Sequence, residues 1–210
     1  MWYDTRGQGD PLVALHPGGA GVDSRALAPN VAALARHFRV YTPEQRGHGH
    51  TPDVAGPITF ELMAQDTIAF IETVIGGPVY LLGCSDGASL ALPDFLRQGY
   101  GEVSPDGIGH YDVIVAKLDA MHAHEPALTH DDLGTIACRT LVMVADDDEV
   151  RLEHAVDLYR NLPDAELSVV PGTSHGLLVE KPELCNTVIT EFFTKDPAPT
   201  FAPIRRAGSR

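Results

Sequence analysis

The sequence predicts an α/β fold, a mainly parallel sheet with helices on both faces, and three observations carry that prediction. Short apolar runs at 12–15, 79–82 and 140–144 alternate with longer segments of helical period. Those runs are near-continuous in Leu, Val, Ala and Met, the pattern of strands covered on both sides. Twenty glycines and sixteen prolines punctuate the chain at the intervals where strands must turn into helices.

Taken in order, residues 2–5 read as a short strand ending in the turn 6–10, and 12–15 as a buried strand. Residues 25–37 place Leu27, Val31, Leu34 and Phe38 at helical spacing. Strand 39–42 follows, then a glycine-rich loop to about Pro57. Residues 59–74 predict a long helix with Leu62, Met63, Ile68, Ile71, Val74 and Ile75 on its apolar side, stopped by Gly76-Gly77-Pro78. Strand 79–82 leads into a helix from Ser85 toward Pro93. Residues 93–139 hold no convincing strand: the one candidate, 111–115, continues with apolar residues at 114, 115, 118 and 121, which is helical spacing. Strand 140–144, helix 154–162, strand 166–170 and helix 182–193 complete the fold. From Asp196 the chain reads as a loose tail, with Pro197, Pro199, Pro203 and Arg205-Arg206. No internal repeat is present.

The 210 residues suit one domain, and no staple of metal or disulfide is needed at that size. Lys and Arg number 15 against 29 Asp and Glu, a net charge of −14. That balance opposes non-specific binding to nucleic acid or anionic membranes. No apolar run approaches the ~18–20 residues of a membrane helix, and the first residues lack the features of a signal peptide. Cys84, Cys138 and Cys185 are sparse, with no CxxC, so a reduced cytoplasmic compartment is expected.

The chemistry concentrates at Gly83-Cys84-Ser85-Asp86-Gly87. This G-x-S-x-G directly follows a strand and opens a helix, which is where a nucleophilic serine can project from a sharp, strained turn. Unpaired N–H groups at the helix start favour developing negative charge. Serine needs a base, and the base an orienting acid. Asp148 lies after strand 140–144, in Ala145-Asp146-Asp147-Asp148, and His175 lies after strand 166–170, 27 residues further on. That interval holds one helix and one strand. The turn His16-Pro17-Gly18-Gly19, after strand 12–15, can aim a backbone N–H into an oxyanion hole, with the N–H of Asp86 as second donor. Each such donor is typically worth about 2.7–4 kcal/mol in the transition state.

The turn 16–19, Gln45-Arg46-Gly47-His48-Gly49, the elbow 83–87, Ala145-Asp146-Asp147-Asp148 and Gly172-Thr173-Ser174-His175 together resemble the α/β-hydrolase superfamily, in particular its small bacterial serine esterase-like members. The likeness covers about residues 2–87 and 138–195. It implies a Ser85–His175–Asp148 triad, an oxyanion hole from the N–H groups of Gly18 and Asp86, and substrate contacts at Gly19 and Asp86. It also implies an α/β-hydrolase domain over 1–195, a short cap remnant at about 94–137 and a tail over 196–210. Two features depart from the family. The N-terminal antiparallel hairpin of relatives is missing, and the 63-position step from Ser85 to Asp148 lacks a strand and most of a cap. Losing a central parallel strand would leave a gap or force its neighbours to re-pair.

Plainer roles stand beside these. Ser85 could simply cap its helix, Asp146 or Asp147 could replace Asp148, and His175 could be a surface loop residue. His16 is read as a support of its turn rather than an acid or base. Asp86 could pair with a cationic substrate amine, or only complement the helix dipole. Cys84 is read as a buried filler, and Arg46-Gly47-His48-Gly49 as a structural loop. His122, His124, Glu125, His130 and Asp131 fit no common zinc spacing, so no metal and no cofactor is expected. The expected function is a serine hydrolase acting on a small-molecule carboxylic ester, with homo-oligomerisation left open. The alternatives are a catalytically silent hydrolase-like domain, or acyl transfer or perhydrolysis on the same triad.

Overall fold

The computed structural model describes residues 1–85, 94–197 and 200–202. Strands β1 (Tyr3–Arg6), β2 (Pro11–Leu15), β3 (Arg39–Pro43) and β4 (Tyr80–Gly83) form one sheet in the order β1-β3-β2-β4. β1 is antiparallel to β3, whereas β2 runs parallel to both β3 and β4. β5 (Thr140–Ala145) and β6 (Ala165–Val170) make a second, parallel pair. Among the described residues no ladder joins β4 to β5. Of the two outcomes open from the sequence, a gap or re-paired neighbours, the described residues show the gap.

The helices in chain order are α1 (Ala28–Leu34), α2 (Phe60–Phe70), α3 (Asp94–Val103), α4 (Tyr111–His122), α5 (His130–Gly134), α6 (Leu152–Asn161), α7 (Leu177–Glu180) and α8 (Pro182–Thr194). The helix expected from Ser85 toward Pro93 lies outside the described residues. The buried residues of β2 alternate between two apolar layers, as a doubly covered strand must. Leu12 and Ala14 pack with Leu34 of α1 and Ile189 of α8, while Val13 packs with Tyr41 and Phe70. On the second sheet, Val142 and Val144 face Ala155 of α6, and Leu141 and Met143 lie against the layer that holds α8.

Local chemistry explains the boundaries. Asp23 accepts the N–H of Arg25 at 2.8 Å and caps the turn leading into α1; Thr59 accepts the N–H of Leu62 at 3.1 Å and caps α2. α2 continues through a wide turn at 71–75 and stops at Gly76, whose φ of +75° is the left-handed stop that glycine permits. Its buried stripe runs through Met63, Thr67 and Phe70; of the expected apolar side Met63 is buried and Leu62, Ile71 and Ile75 are half-buried, whereas Ile68 is 54% exposed and Val74 is exposed too. Residues 111–121 are helical, as their spacing predicts, and Ile114, Leu118 and Met121 close a separate core over Ala20, Ile58 and Met63.

The two sheets are tied together on one face by buried amides. Asn30 of α1 donates to Asn186 Oδ1 of α8 at 2.9 Å and to the carbonyl of Leu178 at 3.2 Å, and Asn186 donates back to the carbonyl of Pro29 at 3.4 Å. No described helix is long and apolar enough to cross a membrane.

Candidate active site

β4 ends in Gly83, and two residues later Ser85 has φ +38°, the single positive φ of a non-glycine residue among those described. A left-handed serine costs about 1–3 kcal/mol and persists only where its surroundings enforce it. The N–H of Cys84 donates to the carbonyl of Leu15 at 3.3 Å, pinning the turn to β2. The result is a serine whose hydroxyl projects from the carboxyl edge of the sheet.

Ser85 Oγ is hydrogen-bonded to His175 Nε2, and His175 Nδ1 to Asp148 Oδ1 at 2.7 Å. The sequence order of the three residues thus becomes one unbroken relay. Asp148 is held firmly: its Oδ2 accepts the N–H of Ala145 at 3.1 Å, and its Oδ1 also accepts the N–H of Val150 at 3.0 Å. Burial alone would raise its pKa, but the N–H of Val150, His175 and the N–H of Ala145 together outweigh burial and hold it below the usual carboxylate value. Of the rivals, Asp146 accepts the N–H of Thr173 at 3.2 Å, and Asp147 donates its own N–H to the carbonyl of Thr173. Both brace the loop that carries His175 rather than the imidazole itself.

Glu149 was not singled out by the sequence, yet its Oε1 lies 3.3 Å from His175 Nε2. The acidic run 146–149 was visible; which member turns toward the histidine depends on backbone direction, which spacing does not encode.

The turn after β2 leaves the sheet beside Ser85, because Leu15 and Gly83 are register partners. His16 is buried, donates through Nδ1 to the carbonyl of Pro17 at 2.8 Å and accepts the N–H of Gln45 at Nε2, 3.1 Å away. Burial lowers its pKa, so it is a neutral ring with both nitrogens engaged, a support of the turn. Gly18 and Gly19 are buried in this turn, and Gly19 has φ +100°. Asp86, the expected second donor, lies outside the described residues.

The loop 45–49 is structural. Arg46 grips Asp66 with two bonds of 2.7 and 2.8 Å. Buried Glu44 accepts the hydroxyl of Ser24 and the N–H of His50. His48 is fully buried and donates through Nδ1 to the carbonyl of Arg46, its pKa lowered to about 3 chiefly by burial. The Cys84 thiol is pushed up to about 11, first by burial and then by Asp148 and Cys185, so it is no thiolate nucleophile. The His and Glu cluster at 122–131 is dispersed: Glu125 accepts the N–H of Phe60 at 2.7 Å, and His130 pairs with Asp157 at 2.8 Å.

Below the relay, between β4 and β5, lies a cavity of about 980 Å³. Ser85, Asp148 and His175 line it together with Leu81, Met143 and Phe193.

Comparison with known proteins bears on the family and the fold. The sequence profile described as "Alpha/beta hydrolase family" matches residues 12–116. The (E)-2-((N-methylformamido)methylene)succinate hydrolase of Acinetobacter baylyi is 29% identical over 102 residues, 46% of this chain but only 38% of that protein's length. RutD of Agrobacterium fabrum is 22% identical over 91% of this chain and 97% of its own; that alignment spans 255 positions, so RutD carries segments that this chain lacks. Among solved structures, CarC, a serine hydrolase involved in carbazole degradation, superposes with a TM-score of 0.78 at 18% identity, covering 91% of this chain and 93% of its own, a likeness of fold.

Proposed function

Because the chain belongs to the alpha/beta hydrolase family, we propose that it is a serine hydrolase of small carboxylic esters in which Ser85 is the nucleophile, His175 the base and Asp148 the orienting acid. The relay from Asp148 through His175 to a Ser85 held at positive φ is the observation that carries this reading. Ser85 Oγ attacks the acyl carbon as its proton passes to His175 Nε2, and the carbonyl electrons move onto oxygen. The N–H groups of Gly18 and Asp86 are the proposed donors to that oxyanion. The C–O bond to the alcohol then breaks, with the proton on Nε2 going to the leaving oxygen. Water, deprotonated by the same nitrogen, adds to the acyl carbon, and collapse releases the acid and restores Ser85. Asp148 keeps Nδ1 protonated, so that Nε2 is free to accept. Gly19 and the Asp86 side chain are proposed to flank the substrate.

A second reading, a folded but silent relative, is favoured by the break between the sheets: Ser85 follows β4, whereas Asp148 and His175 follow β5 and β6. Labelling with a fluorophosphonate, read by intact mass beside a thermal melt, separates the two. The expected result is one adduct per chain, absent in Ser85→Ala. A cooperative melt without an adduct would establish the silent reading instead.

A further inference from the structure

The cavity between the sheets has edges as well as walls. In a parallel ladder the N–H and C=O of one residue point to the same side, and those of the next to the other. The N–H of Cys84 bonds Leu15 of β2, so by alternation Leu81 and Gly83 turn their backbone groups away from β2, toward the cavity. In β5, Thr140 bonds Asp164 and Asp146 bonds Val170, so Leu141 and Met143 turn away from β6, toward the same space. Among the described residues no ladder partner meets these four. β4 and β5 run in the same direction, because both deliver their relay residues from their carboxyl ends. The space is thus bounded by two parallel strand edges that face each other across it.

Its size matches one strand. A strand residue within a covered sheet occupies roughly 160 Å³, from a ~4.8 Å strand spacing, a ~10 Å layer and a ~3.3 Å rise. About 980 Å³ therefore holds about six residues, the length of β5. Among the described residues no strand is spare. All six described strands are paired, and the sequence after them carries Pro197, Pro199 and Pro203, which lack the N–H a central strand must donate.

We propose that the slot between β4 and β5 is a strand-acceptor site for an extended, aliphatic segment of about six residues from another polypeptide. The segment donates to and accepts from Leu81, Gly83, Leu141 and Met143, giving one seven-stranded sheet. It is aliphatic on both faces because both faces of the sheet are covered, by α8 on one side and α6 on the other. This inference stands apart from the ester reading, since it needs only the strand edges.

The test is amide hydrogen exchange on the intact protein, with a soluble peptide whose Val-Ile-Val-Leu-Val core is flanked by lysines. Three comparisons run beside it: the peptide with alternate amides N-methylated, decanoic acid, and protein alone over a range of concentrations. The expected result is at least roughly tenfold slower exchange across 80–83 and 141–145 with the unmodified peptide only. No slowing at saturating peptide overturns the proposal. Equal slowing with the N-methylated peptide or decanoic acid also overturns it, and would make the slot a pocket for apolar chains. Slowing that grows with protein concentration alone would assign the slot to a second copy.

Discussion

Replacing Asp148 by Asn separates the proposed catalytic role of that carboxylate from its structural one. The carboxylate accepts three N–H donors, from His175, Val150 and Ala145, at 2.7, 3.0 and 3.1 Å. An amide offers one oxygen. If that oxygen stays with His175 and Val150, the NH₂ faces the N–H of Ala145, and leaving a buried donor unmet costs about 1–3 kcal/mol. At this chain length each kcal/mol corresponds to roughly 2–4 °C in Tm. If the NH₂ instead faces His175, the ring is held in the wrong tautomer, a change known to lower kcat about 10⁴-fold in a triad. That equals about 5.4 kcal/mol in the barrier, well beyond the structural loss. The assays are the rate of fluorophosphonate labelling and p-nitrophenyl acetate turnover at a temperature where circular dichroism shows the variant folded. Asp148→Asn should lose three to four orders of magnitude, while Asp147→Asn stays within about tenfold of wild type. A folded Asp148→Asn that keeps more than a tenth of the rate, or an equal loss in Asp147→Asn, would refute the assignment. The same variant bears on acid stability. The native pKa of Asp148 is lowered, so its contribution is present above the unfolded value near 3.9 and is lost as pH falls through the native value. The melt of Asp148→Asn should lack that part of the acid-side decline.

Two further outcomes test the frame around the site. His48 titrates near 3 in the fold and near 6.5 unfolded, so below pH 6.5 the unfolded chain binds the extra proton and stability falls as pH drops. By pH 5 this amounts to about 2 kcal/mol, and His48→Gln should flatten the decline in Tm between pH 7 and 5; an unchanged slope would contradict it. Gly49 and Gly56 both have positive φ, but a Cβ at Gly49 would sit 2.3 Å from the buried Glu44 carboxylate, while one at Gly56 meets nothing. Urea titration should therefore show Gly56→Ala losing about 1 kcal/mol and Gly49→Ala several times more; equal losses would mean that Glu44 can move aside.

Much of this molecule is legible in its sequence where burial is two-sided. Val13, Val142 and Val144 sit in continuous apolar runs because helices cover both faces of their strands. The serine, acid and histidine are legible because each follows such a run at a strand's carboxyl end. What escaped depends on neighbours rather than period. The apolar list of α2 includes Ile68 and Val74, which are exposed, because the buried stripe continues through Thr67, whose hydroxyl is satisfied by the carbonyl of Met63 at 2.9 Å. The short α7 is missed because four residues give no period to read. Glu149 is hidden among four consecutive acids that differ only in direction. The absent strand left its trace in the count of residues between Ser85 and Asp148, but the choice between a gap and a re-paired sheet was a matter of packing.

The amides that join α1 to α8 acquire a meaning beyond cohesion. In a continuous sheet, backbone ladders would fix the distance from the serine to its histidine, whatever the side chains. Here the ladder is interrupted between them, and the spacing is set partly by Asn30 and Asn186, two small side chains on the far side of the sheet from α6. They sit in the same apolar layer that Leu12 and Ala14 of one sheet share with Ala145 and Val170 of the other. Reactivity at Ser85 is then a gauge of side-chain packing between the sheets, since no ladder among the described residues joins β4 to β5.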